Sequence, residues 1–280
     1  MKFPINAYLL TFAAAFVTSF ASVPIWRAWS RRIGLVDDPG HRKIHHVPVP
    51  LAGGLAVFTG MVVPILAGLV ALQLGFFETT TFDPLSYGFG KRTTQLAAIL
   101  AGAIGMLVIG LLDDKFELKP VVKLCGQIAI ATMVAAAGVR ITLFVPSIAF
   151  SNFITVFWIL TVINAFNFMD NMNGLCAGLG AIGALWFAII AAGLGQYLVA
   201  LLAFLTAGAL VGFLPYNYPK ASVFLGDAGS HLVGYLLAVL AILPHFYSEK
   251  NPAALAVMTP LLVLAVPLLD MAWVVLLRTR

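Results

Sequence analysis

Apolar runs of about 20 residues recur along nearly the whole of this 280-residue chain, and no other feature limits its fold as strongly. A run of that length crosses the roughly 30 Å hydrocarbon core of a bilayer as one α-helix. Such runs fall at about 4–26, 51–77, 93–112, 124–139, 149–166, 175–193, 197–214, 229–246 and 254–277. The chain therefore reads as an all-α, polytopic integral membrane protein with about nine transmembrane helices. Composition agrees, with 61% hydrophobic and 10% charged residues, against roughly 45–50% apolar in soluble domains. No stretch is polar enough to form a separate soluble module, so residues 1–280 read as a single transmembrane domain. The first run is long for a signal peptide and is followed by Arg27, Arg31 and Arg32, which marks it as an uncleaved span. Two cysteines, Cys125 and Cys176, make neither a disulfide framework nor a metal-binding spacing.

Positive charge orients the spans, because cytoplasmic loops of membrane proteins carry an excess of Lys and Arg. With the loop after the first span inside, eleven of the sixteen basic residues share one face: Arg27, Arg31, Arg32, Arg42, Lys43, Lys115, Lys119, Lys123, Lys220, Arg278 and Arg280. Lys2, Lys91, Arg92, Arg140 and Lys250 fall on the other. The N-terminus is thus predicted outside and the chemistry on the cytoplasmic face. The net charge of +5 follows from this asymmetry and is no sign of nucleic-acid binding. Most carboxylates sort to the same inner face, although the rule gives Asp and Glu little weight. The long outer stretch "FFETTTFDPLSYGFGKRTT" reads as a plain connector.

Four inner stretches keep polar residues that a membrane protein does not hold without cause. "DDPGHRKIHHVPVPLAGG" runs from Asp37 to Gly54 and is too rich in proline for a regular helix. Its Arg42, Lys43 and His45 suit phosphate oxygens, and the bland reading is a solvated basic loop. Its His45–His46 pair has no obvious third partner for a metal. In "GLLDDKFELKPVVK", Asp113 and Asp114 end the third run, and Lys123 and Gln127 share one face at the start of the fourth. Adjacent carboxylates oppose one another's ionisation unless a cation neutralises them. At a membrane edge the pair suggests a divalent cation, a bound phosphate group or a proton-transfer role; as hard oxygen donors they point to Mg²⁺ or Mn²⁺, while a solvated helix end would ask for nothing.

The third stretch, "NAFNFMDNMNGL", places Asn164, Asn167, Asp170 and Asn173 three residues apart, a slowly winding polar stripe if the helix continues. Such amides either bond neighbouring helices or serve a cation or a nucleotide edge. The fourth, "PYNYPKASVFLGDAGS", sets Asn217 ahead of Asp227 in a Gly-Asp-x-Gly-Ser turn, with Ser230 placed to cap the next helix. Asp270 adds an acid within the last run, and an intramembrane acid is a functional candidate by default. Five aspartates beside basic residues at one membrane face suit a metal-assisted reaction between an anionic soluble substrate and an anionic lipid.

In order and spacing these four stretches resemble those of the polyprenyl-phosphate N-acetylhexosamine-1-phosphate transferases, membrane enzymes that start bacterial surface-glycan synthesis. The resemblance covers nearly the whole chain. It implies transfer of a sugar-1-phosphate from a UDP-sugar to undecaprenyl phosphate in the inner membrane, with UMP released and Mg²⁺ required, Mn²⁺ being an acceptable substitute. The related phospho-MurNAc-pentapeptide translocases share the aspartate motifs. Their first loop typically lacks the element that stands here as Arg42, Lys43 and His45, so the N-acetylhexosamine branch and UDP-GlcNAc are favoured.

The resemblance implies catalytic roles for Asp113, Asp114, Asp170 and Asp227, with Asp227 and Asp170 on the metal. It implies substrate binding by Arg42, Lys43, His45, Lys123, Asn167, Asn173 and Asn217. Asp113 would take a proton from the lipid phosphate. Homodimers occur among related enzymes. Two departures stand out. Asn173 occupies a position where many members have Asp. The family pattern also continues into a His-rich loop and one or two more spans, so the resemblance implies a sequence truncated at Arg280. A secondary transporter is the main rival, but transporters set their ionisable groups near the bilayer midplane, whereas most acids here lie at one face.

Overall fold

The structure is a computed structural model and describes residues 3–39, 47–74, 79–142, 147–244 and 258–279. Among them ten helices are present: α1 Ile5–Arg32, α2 Gly53–Gln73, α3 Thr79–Phe116, α4 Pro120–Ala136, α5 Ile148–Met169, α6 Leu175–Gly193, α7 Tyr197–Asn217, α8 Gly226–Ile242, α9 Thr259–Val263 and α10 Ala265–Arg278. One two-stranded antiparallel ribbon pairs β1 Val36–Asp37 with β2 Val49–Pro50. Six helices are long and apolar enough to cross a membrane: α1, α2, the part of α3 from Arg92 to Phe116, α5, α6 and α7. The protein is a polytopic, multi-pass membrane protein.

The other three predicted spans take shorter forms. α4 and α8 are apolar helices of 17 residues each, about 25 Å long at 1.5 Å per residue. The last run is broken at Leu264 into α9 and α10. Pro267 accounts for the break: its ring meets the carbonyl four residues back, that of Val263, and it offers no N–H to continue the ladder. The connector predicted between the second and third spans is corrected, because its backbone is already helical from Thr79. A break at Arg92 (φ −119°, ψ 16°) separates that portion from the span itself.

α8 is the hub. Nearly every residue from Gly226 to Ala241 is buried, as a helix apolar on all faces must be. α2, α3, α5 and α6 pack around it, while α1 and α7 pair tightly beside α2. Two polar side chains inside this bundle bond the backbone of a neighbouring helix. Tyr235 donates to the Ile99 carbonyl at 3.0 Å, and Trp158 Nε1 to the Ala238 carbonyl at 3.2 Å. Small residues set the closest approaches. At Gly110 a Cβ would fall on the backbone of Asp227 and Ala228, so α3 lies directly against the start of α8.

Helix ends bearing the four polar stretches meet at one end of the bundle. Lys115, near the end of α3, donates to the Ile33 carbonyl just beyond α1 at 2.7 Å. The start of α2 is stitched to the segment before α8, with Gly53 N–H bonding Phe224 O at 3.0 Å and Gly54 N–H bonding Leu225 O at 3.1 Å. Phe224 N–H in turn bonds Pro50 O at 2.9 Å. The β-ribbon and these bonds bring both described flanks of the first polar stretch beside the fourth.

Candidate active site

At the centre of that end sits Lys123, in the first turn of α4. Its Nζ lies 2.6 Å from Asp113 Oδ2, near the end of α3, and 3.3 Å from Asp227 Oδ2, at the start of α8. Pro120 opens α4 at a position that needs no backbone N–H, and this sets Lys123 opposite the two acids. Asp113 is buried, and its Oδ1 accepts the Leu118 N–H at 2.9 Å. Asp227 is more open, its side chain 34% exposed. Asn167, in the last turn of α5, donates to Asp227 Oδ1 at 2.5 Å and to Ser230 Oγ at 3.0 Å.

Asp114 does a different job from its neighbour. Its Oδ1 accepts the Asp227 N–H at 2.8 Å and its Oδ2 the Ala228 N–H at 3.1 Å. These are orphan donors of the first turn of α8, which any helix must satisfy from outside. A negative charge there also complements the helix dipole. Asp114 is thus the cap of α8, supplied from α3, and the expected cap from Ser230 is corrected. α8 begins at Gly226, so Ser230 is already in its second turn and bonds Asn167 instead. Gly226 takes φ +74°, and any Cβ there would press on the Asp114 carboxylate at 2.7 Å.

The continuous polar stripe expected from Asn164 to Asn173 is corrected as well. α5 ends at Met169, Asp170 is its C-cap, and Gly174 turns the chain at φ +76°. Asn164 donates to Gln127 Oε1 at 3.3 Å and to the Leu160 carbonyl at 2.8 Å, while Gln127 Nε2 has no partner among the described residues. Asn173 is exposed and donates to Pro219 O at 3.2 Å. Buried Asn217 ties two motifs together, accepting from Gly174 N–H at 2.7 Å and donating to Val223 O at 3.0 Å.

Asp170 keeps some surface in solvent, yet burial pushes its carboxyl well above the usual carboxylate range. The charges of Asp227 and then Asp114 act in the same direction, and a hydrogen bond from the Gly226 backbone opposes them. A cation between Asp170 and Asp227 would relieve that repulsion. Among the described residues no three His, Cys, Asp or Glu side chains form a complete metal cage. That donor set still fits Mg²⁺, which binds through one or two carboxylates together with waters and substrate phosphates. Lys123 now supplies the positive charge between Asp113 and Asp227.

Of the residues singled out in the sequence, the structure brings Asp113, Asp114, Lys123, Asn167, Asp170 and Asp227 together, with Asn217 and Asn173 in the adjoining turn. Arg42, Lys43 and His45 lie outside the described residues. Asp270 stands on α10, with no bond to the cluster among the described residues. Sequence reasoning passed over His231. It lies in the second turn of α8, fully buried, with Lys123 and Asp113 the charged side chains that act on it. A histidine within the otherwise apolar run "HLVGYLLAVLAIL" was the available signal.

Comparison with known proteins supplies the remaining observation. Residues 96–245 match the glycosyl transferase family 4 profile. A probable undecaprenyl-phosphate N-acetylglucosaminyl 1-phosphate transferase of Bacillus subtilis (strain 168) is 30% identical over 96% of this chain and 72% of its own length. The decaprenyl-phosphate N-acetylglucosaminephosphotransferase of Mycobacterium tuberculosis (strain ATCC 25618 / H37Rv) is 34% identical over 97% and 70%. The undecaprenyl-phosphate alpha-N-acetylglucosaminyl 1-phosphate transferase of Escherichia coli (strain K12) is 28% identical over 97% and 72%.

Proposed function

The chain belongs to glycosyl transferase family 4 and is a sugar-1-phosphate transferase to polyprenyl phosphate; from that premise we propose that it moves GlcNAc-1-phosphate from UDP-GlcNAc to undecaprenyl phosphate. The observation that carries this reading is the Asp113–Lys123–Asp227 contact. It joins α3, α4 and α8 at one end of the bundle, where a lipid phosphate and a soluble nucleotide sugar can both arrive. The donor sugar is proposed from the names of the relatives and from the Arg42, Lys43 and His45 element. Those relatives use decaprenyl or undecaprenyl carriers by name.

In the proposed reaction an oxygen of the lipid phosphate attacks the β-phosphorus of the UDP-sugar. The bond from that phosphorus to the bridging oxygen breaks, and UMP leaves with the electron pair. Phosphoryl transfer asks a protein mainly for positioning and charge neutralisation. Lys123 carries three N–H donors; in the cation-free site Asp113 and Asp227 engage two of them, and a remaining one serves a phosphate oxygen of the substrate. Asn167 orients Asp227, and Asp114 fixes the backbone that bears it. Asp113, held by Lys123 and the Leu118 N–H, takes the proton of any lipid phosphate that arrives monoanionic.

Asp227 and Asp170 are the residues that would hold Mg²⁺, or Mn²⁺ in its place. When bound, the ion supplies charge neutralisation and polarisation of the phosphoryl oxygens. Arg42, Lys43 and His45 belong to a stretch whose flanks are tied beside α8, and we assign them to the donor diphosphate. Asn173, exposed in the adjoining turn, is assigned to the uracil edge, and Asn217 acts by holding that turn closed. Residues 1–280 act as one domain with the N-terminus outside and this site on the inner face of the cytoplasmic membrane. About nine membrane crossings follow if α4, α8 and the α9–α10 pair count with the six long helices.

A label decides the reaction. With ³²P in the β-position of UDP-GlcNAc, sugar-1-phosphate transfer carries the label into the lipid fraction. Transfer of the sugar alone leaves it in UDP, and that result would refute the assignment.

A further inference from the structure

His231 is 0% exposed, and neither ring nitrogen has a hydrogen-bond partner among the described residues. The Asp227 carbonyl one turn back bears on the ring but lies outside hydrogen-bond geometry for either nitrogen. Leaving a buried polar atom unpaired incurs its full desolvation penalty, and a ring of this kind has one donor and one acceptor to satisfy when neutral. In an apolar helix a leucine would avoid that cost. A partner that reaches the ring in another state of the site would satisfy it.

His231 stands four residues, one helical turn, after Asp227 and on the same face of α8, and Lys123 touches the Asp227 carboxylate at 3.3 Å; Lys123 and Asp113 are the charged side chains that act on the ring. Asp113 is an acceptor already occupied by Lys123 and by Leu118. Lys123 is a donor on a flexible four-carbon stem, and of its two contacts the one to Asp227 is the longer, 3.3 Å against 2.6 Å. A divalent cation at Asp227 would repel the ammonium from that carboxylate and leave it anchored on Asp113 alone. We propose that His231 is a positioning residue whose ring nitrogen accepts the Lys123 ammonium when Lys123 yields Asp227 to the cation. This rests on the assignment of the cation to Asp227 made above. Without the ring, Lys123 has no second resting place, stays on Asp227 and competes with the cation for it.

The test is cation affinity, read without turnover. Free Mn²⁺ is titrated by electron paramagnetic resonance against the purified full chain in detergent. The comparison covers the unaltered protein, His231→Phe, His231→Asn, Lys123→Met, and Lys123→Met with His231→Phe. Residues that orient a metal site from behind its ligands typically cost roughly 10–100-fold in metal affinity when replaced. His231→Phe should weaken Mn²⁺ binding by about tenfold or more, and His231→Asn, which keeps an acceptor, by much less. In the Lys123→Met background the same His231→Phe change should cost about twofold or less, since coupled residues are non-additive.

Unchanged affinity in His231→Phe, or an equal loss with and without Lys123, overturns the proposal. Should His231→Phe not fold, ¹⁵N-histidine spectra of the unaltered protein decide. The unprotonated ring nitrogen of His231 should shift on adding Mg²⁺, and should not shift in Lys123→Met; no shift in the unaltered protein overturns the idea. Failure of the underlying reading is separately visible. If Asp227→Asn binds Mn²⁺ as tightly as the unaltered chain, the cation assignment falls, and the role of His231 falls with it.

Discussion

Asp113 and Asp114 are adjacent in sequence and the same in chemistry, but the fold separates their tasks. Asp113 faces Lys123 and the site. Asp114 caps α8 through two backbone N–H groups. Asp114→Ala should therefore cost stability first, by about 0.5–2 kcal/mol, the range for losing a helix cap, read as a lower midpoint in thermal unfolding. Asp113→Asn should leave that midpoint nearly unchanged while slowing turnover. Asp170 makes a prediction in pH. Its carboxyl is raised in the folded chain, chiefly by burial, so the folded state holds its proton where the unfolded state has released it. Stability is unpenalised below the ordinary carboxylate range and falls as pH rises through the raised value. Unfolding of the cation-free protein should show that decline, and Asp170→Asn should make it shallower. Mg²⁺ at neutral pH should restore stability to the unaltered protein and not to the variant. The sequence made most of these residues legible as candidates, because charged and amide side chains stand out in an apolar chain. It could not separate Asp113 from Asp114, because the partner of Asp114 lies 113 residues away along the chain. His231 was passed over because it sits inside a run read as a plain span.

Helices were legible from apolar length, and their ends less so. The run through "NAFNFMDNMNGL" kept a three-residue polar rhythm that looked helical to Asn173, yet α5 stops at Met169 and the chain turns at Gly174. Pro267 split the last run into α9 and α10 for a reason visible in the sequence, whereas the helical portion from Thr79 gave no apolar signal. The element that most depends on its neighbours is α8. Its N-terminal turn meets α3 at Gly110, where a Cβ would collide with backbone that cannot give way. Gly110→Ala should push α8 off α3, part Asp227 from both Lys123 and Asp114, and abolish activity. It should also lower the unfolding midpoint by more than Gly105→Ala, where the collision is with the flexible end of Ile130. Equal midpoints for the two variants would show that α3 and α8 are not held this closely.

At the scale of the whole molecule, the arrangement explains why so apolar a chain concentrates its acids and bases at one end. The ends of α3 and α5 and the starts of α4 and α8 meet there, and an antiparallel succession of spans returns to the same side at every second connection. A transporter would need its ionisable groups near mid-bilayer; here the acid and base contacts cluster at helix ends. The central claim is that these carboxylates and Lys123 bring a nucleotide sugar and a lipid phosphate together for sugar-1-phosphate transfer. The most direct measurement is UMP release from UDP-GlcNAc by the purified chain, with and without undecaprenyl phosphate, with and without Mg²⁺, and with Asp227→Ala in parallel. The account predicts release that requires both lipid and Mg²⁺ and that Asp227→Ala loses. Release that persists in Asp227→Ala, or that does not depend on the lipid, would contradict it.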